Sequence, residues 1–305
     1  MTEGMPAAQP TAQPSAMAAA LASPEAVQER LAAVDYFADL GLATAAFLAL
    51  GLGKPLLLEG EPGVGKTETA RALAAITGRE LIRLQCYEGL DAAQALYEWN
   101  YPRQLLHLRA CEQAGAEADL YAPEFLLERP LLRALRIEGG AVILIDEIDR
   151  ADAEFEAFLL EFLSDFQITI PEIGPIRAAT PPVVVLTSNR TRELHDALKR
   201  RCLYHWIDFP EPERERRIVA ALAPGVAADA AAALVEAVAG VRRLPLLKKP
   251  GIAESVEWAR GAKLLEARGD PWPVALRRSR GLLVKDQDDL ARVAAAADDL
   301  LTAAR

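Results

Sequence analysis

A chain of 305 residues with 51% hydrophobic and 26% charged side chains has an ordinary soluble composition and enough length for a full core and about two domains. Its formal net charge of −10 argues against a nucleic-acid binder that relies on a basic field. The three cysteines, Cys86, Cys111 and Cys202, show no C-x-x-C spacing and the three histidines, His107, His195 and His205, stand far apart, a set that fits a reducing compartment and offers neither a disulfide framework nor a zinc site.

The first 22 residues are rich in Ala, Pro and Gln, lack the basic n-region of a signal peptide, and read as a disordered tail. Ser23 before Pro24 is an N-cap followed by Pro at the first helical position, so the folded part is expected to begin there. Two helical patterns then run to about Leu52. The longest apolar stretch, residues 40–52, is too short to span a bilayer and reads as a helix covering the first strand. No transmembrane segment is expected, and the cytoplasm is the default location.

Pro55 to Glu59 is a short apolar run, read as a buried parallel strand. It leads into Gly60-Glu61-Pro62-Gly63-Val64-Gly65-Lys66-Thr67, which satisfies G-x-x-x-x-G-K-[ST] at every fixed position. Beyond Thr67, the positions Ala70, Leu73 and Ala74 predict a helix that Gly78 ends. Strand, loop and helix together make this a phosphate-binding loop. The glycines let backbone N–H groups curl around phosphates, the helix N-terminus adds positive potential, Lys66 reaches the β- and γ-phosphates and Thr67 holds Mg²⁺. Glu68, in the first helical turn, completes the segment assigned to ATP contact.

Residues 80–85 read as a second strand with Arg83 as its polar interruption, followed by a long mixed region, 86–140. A third strand, 141–145, runs into the acidic pair Asp146-Glu147. Alone, a strand ending in two acids is a weak signal. Standing 80 residues beyond Lys66 on a second buried strand, it becomes the second signature of a nucleotide site: Asp146 orients Mg²⁺ and Glu147 polarises the attacking water. Asp149 and Asp152 lack the Gly and terminal Glu of a calcium loop and read as cap and surface.

The next helix carries Phe155, Phe158, Leu159, Phe162 and Leu163 on one stripe, which reads as core. Residues 167–171 and the segment around Ile176, joined through Gly174, read as a hairpin. A fourth strand, 183–186, ends at Thr187-Ser188-Asn189, and a fifth is expected at 206–209. Asn189 stands where doubly wound sheets place ligand groups; it either holds the lytic water or γ-phosphate, or is a turn asparagine. Arg200-Arg201 suits an arginine finger or a surface basic pair. After Pro210 the pattern is helical only: alanine-rich to Ala239, then 252–268, then 286–304 with Leu290, Val293, Ala294, Ala297 and Leu301 on one face. The expected organisation is a tail (1–22), an α/β nucleotide-binding domain (23–210) and an all-helical lid (211–305).

The ordered set GEPGVGKT, AVILIDEIDRAD, QITIPEIGPIRA, VVVLTSNR and LHDALKRRC resembles the MoxR family of AAA+ ATPases, and LIRLQCYEGLDAAQALYEWNY with LLKKPGIAESVEWAR is most similar to its CoxD-like branch. The resemblance spans about residues 25–305. It implies an AAA+ P-loop fold, a parallel sheet flanked by helices with a small helical lid, assembled with itself into a ring, usually hexameric, that hydrolyses ATP at subunit interfaces. It further implies a chaperone that matures a metalloenzyme together with a von Willebrand factor A domain protein; in the CoxD-like branch the client is a molybdenum hydroxylase of the carbon monoxide dehydrogenase type. Carried over, Gly60 to Thr67 is the phosphate loop, Asp146 and Glu147 the acidic pair, Asn189 sensor one, and Arg201 the finger with Arg200 as second choice. Residues 86–140 and 167–176 are candidate client-facing segments, with Tyr97, Trp99 and Tyr101 either exposed anchors or core. One departure stands out: Ile252-Ala253-Glu254 occupies the place where many relatives carry a lid arginine, so that either Lys248 or Lys249 substitutes or nucleotide closure is weaker. Two other readings remain open, an activase that releases inhibitors from a carbon-fixing or other enzyme, and a nucleotide-dependent scaffold with little turnover.

Overall fold

The computed structural model describes residues 21–115 and 117–302. Residues 1–20 of the expected tail, and the last two residues of the expected final helix, lie outside them. Ser23 accepts a hydrogen bond from the N–H of Ala26 and opens α1 (Pro24–Ala32); α2 (Leu40–Leu52) follows, capped by Asp39. The chain then alternates β1 (Leu56–Gly60), α3 (Lys66–Thr77) and β2 (Glu80–Gln85). The mixed region resolves into α4 (Ala92–Ala95), β3 (Tyr97–Trp99), α5 (Tyr101–Ala114), β4 (Leu126–Glu128) and α6 (Pro130–Arg136). Beyond it run β5 (Ala141–Asp146), α7 (Ala153–Asp165), the antiparallel hairpin β6 (Gln167–Ile170) and β7 (Gly174–Arg177), β8 (Val183–Ser188), α8 (Asp196–Arg201) and β9 (Leu203–Ile207). Among the described residues five helices follow: α9 (Pro212–Leu222), α10 (Ala228–Arg242), α11 (Ile252–Glu266), α12 (Trp272–Ser279) and α13 (Gln287–Thr302). Among the described helices none is long and apolar enough to cross a membrane.

The central sheet is parallel, in the order β2-β5-β8-β1-β9. Parallel strands need helical crossovers, which cover both faces, so the strand residues are apolar on both sides. The side-chain period of two then divides each strand between two cores. Ile143 and Ile145 of β5, with Leu57 of β1, pack against α6 and α7, whose Leu131, Phe155 and Phe162 are buried. Val142 and Leu144, with Leu56 and Leu58, pack against α2 and α3 through Leu42, Ala46, Ala70 and Leu73. A third core gathers Val219, Leu234, Val238, Trp258 and Leu276 from α9 to α12.

Two expectations are corrected, one helix was missed and one open alternative is decided. The fifth strand begins at Leu203, three residues before the expected start, because β9 is an edge strand whose first residues are only half buried and so lack an apolar run. α12 was not legible as a separate helix. Trp99 is core, only 7% exposed, wedged edge-on between Tyr97 and Tyr121. On α13 Leu290 and Val293 pack inward while Ala294 is exposed; the side chains of residues 297 and 301 lie outside the described set.

Candidate active site

The carboxyl ends of β1, β5 and β8 converge on one cavity of about 750 Å³, the size of small-ligand sites. Residues from Pro62 to Glu68 line it on one side, Asp146, Glu147, Thr187 and Asn189 on another, and Ile252, Val256 and Arg260 of α11 on a third. Gly60 is required by β9: a Cβ there would lie 2.4 Å from the Ile207 carbonyl oxygen. Gly60 and Glu61 do not line the cavity. Their carbonyls hold the Lys66 ammonium at 2.7 and 2.8 Å. Burial lowers the Lys66 pKa, and the carboxylates of Asp149, Glu61, Asp146 and Glu147 oppose that shift. The lysine therefore projects a desolvated positive charge toward a wall of acids.

Thr67, in the first turn of α3, donates to Asp146 Oδ1 at 3.1 Å. Asp146 is 3% exposed, and polar atoms that deep need hydrogen-bond partners. It has them: Thr187 Oγ1 donates to Oδ1 at 2.5 Å and Arg83 to Oδ2 at 3.0 and 2.6 Å. Hydroxyl and carboxylate oxygens meeting at one point form the donor chemistry a hard divalent cation takes. The two residues expected to hold Mg²⁺ are thus brought together.

Glu147 follows at φ 55°, in the left-handed region. Its N–H is fixed by Thr187 Oγ1 at 2.9 Å; its carboxylate meets Gln85 Nε2 at 3.1 Å and Arg150 Nε at 3.0 Å, with Asn189 Nδ2 at 3.5 Å from the other oxygen. Asn189 is therefore beside Glu147, at the long limit of a hydrogen bond.

Asp152 caps α7 as expected, accepting from the Phe155 N–H at 2.8 Å. Asp149 is not a surface acid. It is buried, and although burial pushes its pKa up, hydrogen bonds from the Thr191 hydroxyl and N–H outweigh that and hold it below the usual value. Cys86, just past the end of β2, is the converse case, its thiol pushed up to about 12 by burial and by the nearby Asp146, Asp149 and Glu147. It is inert as a nucleophile.

Arg200 and Arg201 close α8 and do not line the cavity. Arg201 is exposed, its guanidinium donating to Ser164 Oγ at 2.8 Å and to the Ala197 carbonyl at 3.1 Å. Neither Lys248 nor Lys249 lines the cavity, so the expected substitutes for a lid arginine are not in place; Arg71, Arg214 and Arg260 are the arginines on its wall. Sequence reasoning also missed Arg83, Gln85, Arg150 and Thr187. Strand register was the signal for two of them, since β2 pairs with β5 so that Gln85 lies opposite Asp146 and Arg83 opposite Leu144.

Residues 55–202 match the family described as AAA domain (dynein-related subfamily). Protein NorQ of Paracoccus denitrificans is 31% identical over 173 residues, covering 54% of this chain and 57% of NorQ. An uncharacterized protein of Staphylococcus haemolyticus is 28% identical over 165 residues, covering 52% of this chain and 57% of its own. The chain spans about half the length of the curated relatives it matches. Among solved structures, two variants of RuvB from Thermotoga maritima superpose with a TM-score of 0.51 at 18% and 20% identity, covering 88% and 86% of this chain and 72% and 71% of theirs. Likeness at that identity concerns the fold alone.

Proposed function

We propose that this chain, whose residues 55–202 match the AAA domain (dynein-related subfamily) and whose fold is shared with RuvB, is a MoxR-like AAA+ ATPase of the metalloenzyme-maturation type, a reading that its similarity to protein NorQ supports. One observation carries the reading: the phosphate loop, the acidic pair and Asn189 face one cavity, with Thr67 and Asp146 already in hydrogen-bond contact. Residues 23–210 form the nucleotide-binding unit and 211–305 its lid.

Of the expected loop, Pro62 to Glu68 line the cavity and would hold the ATP phosphates, with Lys66 turning from the Gly60 and Glu61 carbonyls to the β- and γ-phosphates. Thr67 and Asp146 would hold Mg²⁺, which when bound supplies charge neutralisation on the phosphate oxygens. Glu147 accepts a proton from the attacking water while Asn189 orients it. Arg201, exposed on α8 and outside its own cavity, completes the site of the next subunit in a ring, with Arg200 as second choice. The chain assembles with itself, as a hexamer in the cytoplasm, and works with a von Willebrand factor A domain protein on a client metalloenzyme. The preferred client is a molybdenum hydroxylase of the carbon monoxide dehydrogenase type.

Glu147→Gln keeps the metal ligands and should retain ATP binding while turnover falls by about 10² or more. Lys66→Ala should abolish binding. Unchanged turnover in Glu147→Gln would remove the hydrolytic assignment. For the finger, Lys66→Ala and Arg201→Ala proteins, each inactive, should regain part of the activity when mixed into one ring; no recovery in demonstrably mixed rings would overturn the trans role. For the client, purified apo-hydroxylase should gain activity with the wild-type protein and ATP and not with Glu147→Gln. Equal gain with both would leave the ATPase standing and remove the coupling to maturation.

A further inference from the structure

The start of α11 lies against the phosphate loop backbone to backbone. The Ile252 N–H donates to the Gly63 carbonyl at 2.8 Å, and the Ala253 N–H reaches the same oxygen at 3.4 Å. No side chain fits between the two segments. A Cβ on Gly251 would meet three backbone atoms of Gly63 at 2.7 Å, and one on Gly63, at φ 77°, would meet Glu254 Oε2 at 2.8 Å. Glu254 itself is spent locally, accepting from the Gly251 N–H at 3.0 Å. The free N–H groups of a helix start are often a site for anions; here a carbonyl of the loop occupies them.

Behind this corner stands Arg242 of α10. Its Nε donates to the Pro250 carbonyl at 2.9 Å, and its two terminal nitrogens fork onto the buried Glu215 of α9 at 2.6 and 2.8 Å. Its guanidinium also lies 4.6 Å from the ring centre of Phe209, the residue that leads from the sheet into the helical segment. A buried arginine–carboxylate fork is rigid in plane and direction. The Pro250-Gly251 corner is thereby fixed to the helical core and to the sheet.

We propose that this corner is the contact through which the helical segment reads the phosphate loop, with Gly251 and Ile252 as positioning residues. The proposal rests on the nucleotide reading above. Its physical basis is a single peptide plane. The Gly63 carbonyl and the Val64 N–H belong to one planar trans unit and point in opposite directions. With the carbonyl held by α11, the N–H is aimed away from α11, and on the nucleotide reading it is one of the loop N–H groups that curl around phosphate. Phosphate binding at Val64 and docking of α11 at Gly63 then each favour the same setting of that plane, and two ligands of one setting bind with positive coupling.

The test measures ATP·Mg²⁺ binding by calorimetry and steady-state hydrolysis on the full chain. Gly251→Ala inserts the Cβ that the loop excludes; Gly251 has φ −83°, a backbone any residue adopts, so α11 itself is not strained. Ile252→Pro deletes the N–H at the first helical position, where proline is well tolerated, and also trims a side chain packed on the helical core; Ile252→Val, which trims the side chain but keeps the N–H, is its control and should bind ATP as wild type does. Gly251→Ala and Ile252→Pro should raise the ATP Kd and KM by about 5- to 20-fold, in the range of linked sites, with kcat within about twofold and an unchanged far-UV spectrum. In the wild-type protein, ATP should slow hydrogen exchange at Ile252 and Ala253. The double variant Lys248→Ala/Lys249→Ala should match wild type. Wild-type affinity in both Gly251→Ala and Ile252→Pro overturns the proposal, as does a loss confined to the lysine variant. A wild-type protein that binds no ATP sinks the nucleotide reading instead, and the two failures are distinguishable.

Discussion

The ends of β1, β5 and β8 and the segment between β2 and β5 handle polar and apolar groups in opposite ways. At the strand ends the key acids are tied by several bonds: the Asp146 carboxylate by Thr67, Thr187 and Arg83, and the Glu147 carboxylate by Gln85 and Arg150, with the Glu147 N–H donating to Thr187. In the inserted segment one seam, Trp99 with Phe125 and Leu126, is buried in the main core, while α5 above it buries only Gln104 and leaves Tyr101 and Leu106 about two-thirds exposed. Chemistry requires atoms held within fractions of an ångström, so the strand ends are over-determined. A recognition surface requires access, and exposed aromatic and leucine side chains on a helix anchored from beneath suit that need.

Four changes break or sharpen the contrast. The largest effect is expected at the seam. Trp99→Ala should cost about 3–5 kcal/mol of stability, as large-to-small core changes do, read as a lowered urea midpoint; a loss within about 0.5 kcal/mol would mean that the insert is not anchored. Next is Thr187→Val, which keeps shape but strips a partner from both Asp146 and the Glu147 N–H. It should cost about 1–3 kcal/mol and, by loosening Glu147, lower turnover about tenfold or more; normal turnover would show that the site tolerates slack.

Thr191→Val probes the buried Asp149 and has a signed pH dependence. The folded carboxyl titrates below its ordinary value, so its contribution is complete above about pH 4 and is lost as pH falls through the lower folded pKa. Wild type should therefore exceed Thr191→Val by a constant margin of about 1 kcal/mol near neutrality, shrinking in acid. A margin that grows in acid would reverse the assignment. The smallest effect is expected at Leu106→Ser on α5, within about 0.5 kcal/mol and with normal basal hydrolysis. A marked loss of stability there would place α5 against something in the folded chain and end its candidacy as a docking face.

Much of this was readable in the order of residues. β1, β5 and β8 are apolar runs, and Lys66, Thr67, Asp146, Glu147 and Asn189 stand at motif spacings, so the fold and the middle of the site follow from local patterns. What was not readable is non-local. Arg83 and Gln85 reach the acids only because β2 and β5 lie side by side in a given register. Asp149 looked like a loop acid, since its partner Thr191 is 42 residues away. β9, half exposed at the sheet edge, lacks the apolar run that marks a central strand. The docking of Gly251 on Gly63 left no pattern at all, because two glycines in contact carry no side-chain signal.

Glu147 sits in a left-handed backbone conformation that costs a residue with a Cβ about 1–2 kcal/mol relative to glycine. A glycine there would relax the turn and leave the N–H bond to Thr187 available. On the proposed role of Glu147, the chain would then gain stability and lose its hydrolytic step. Screens that select this protein for thermal tolerance alone should accordingly drift toward glycine at position 147, and any thermostable lineage obtained that way should be checked for lost hydrolysis first.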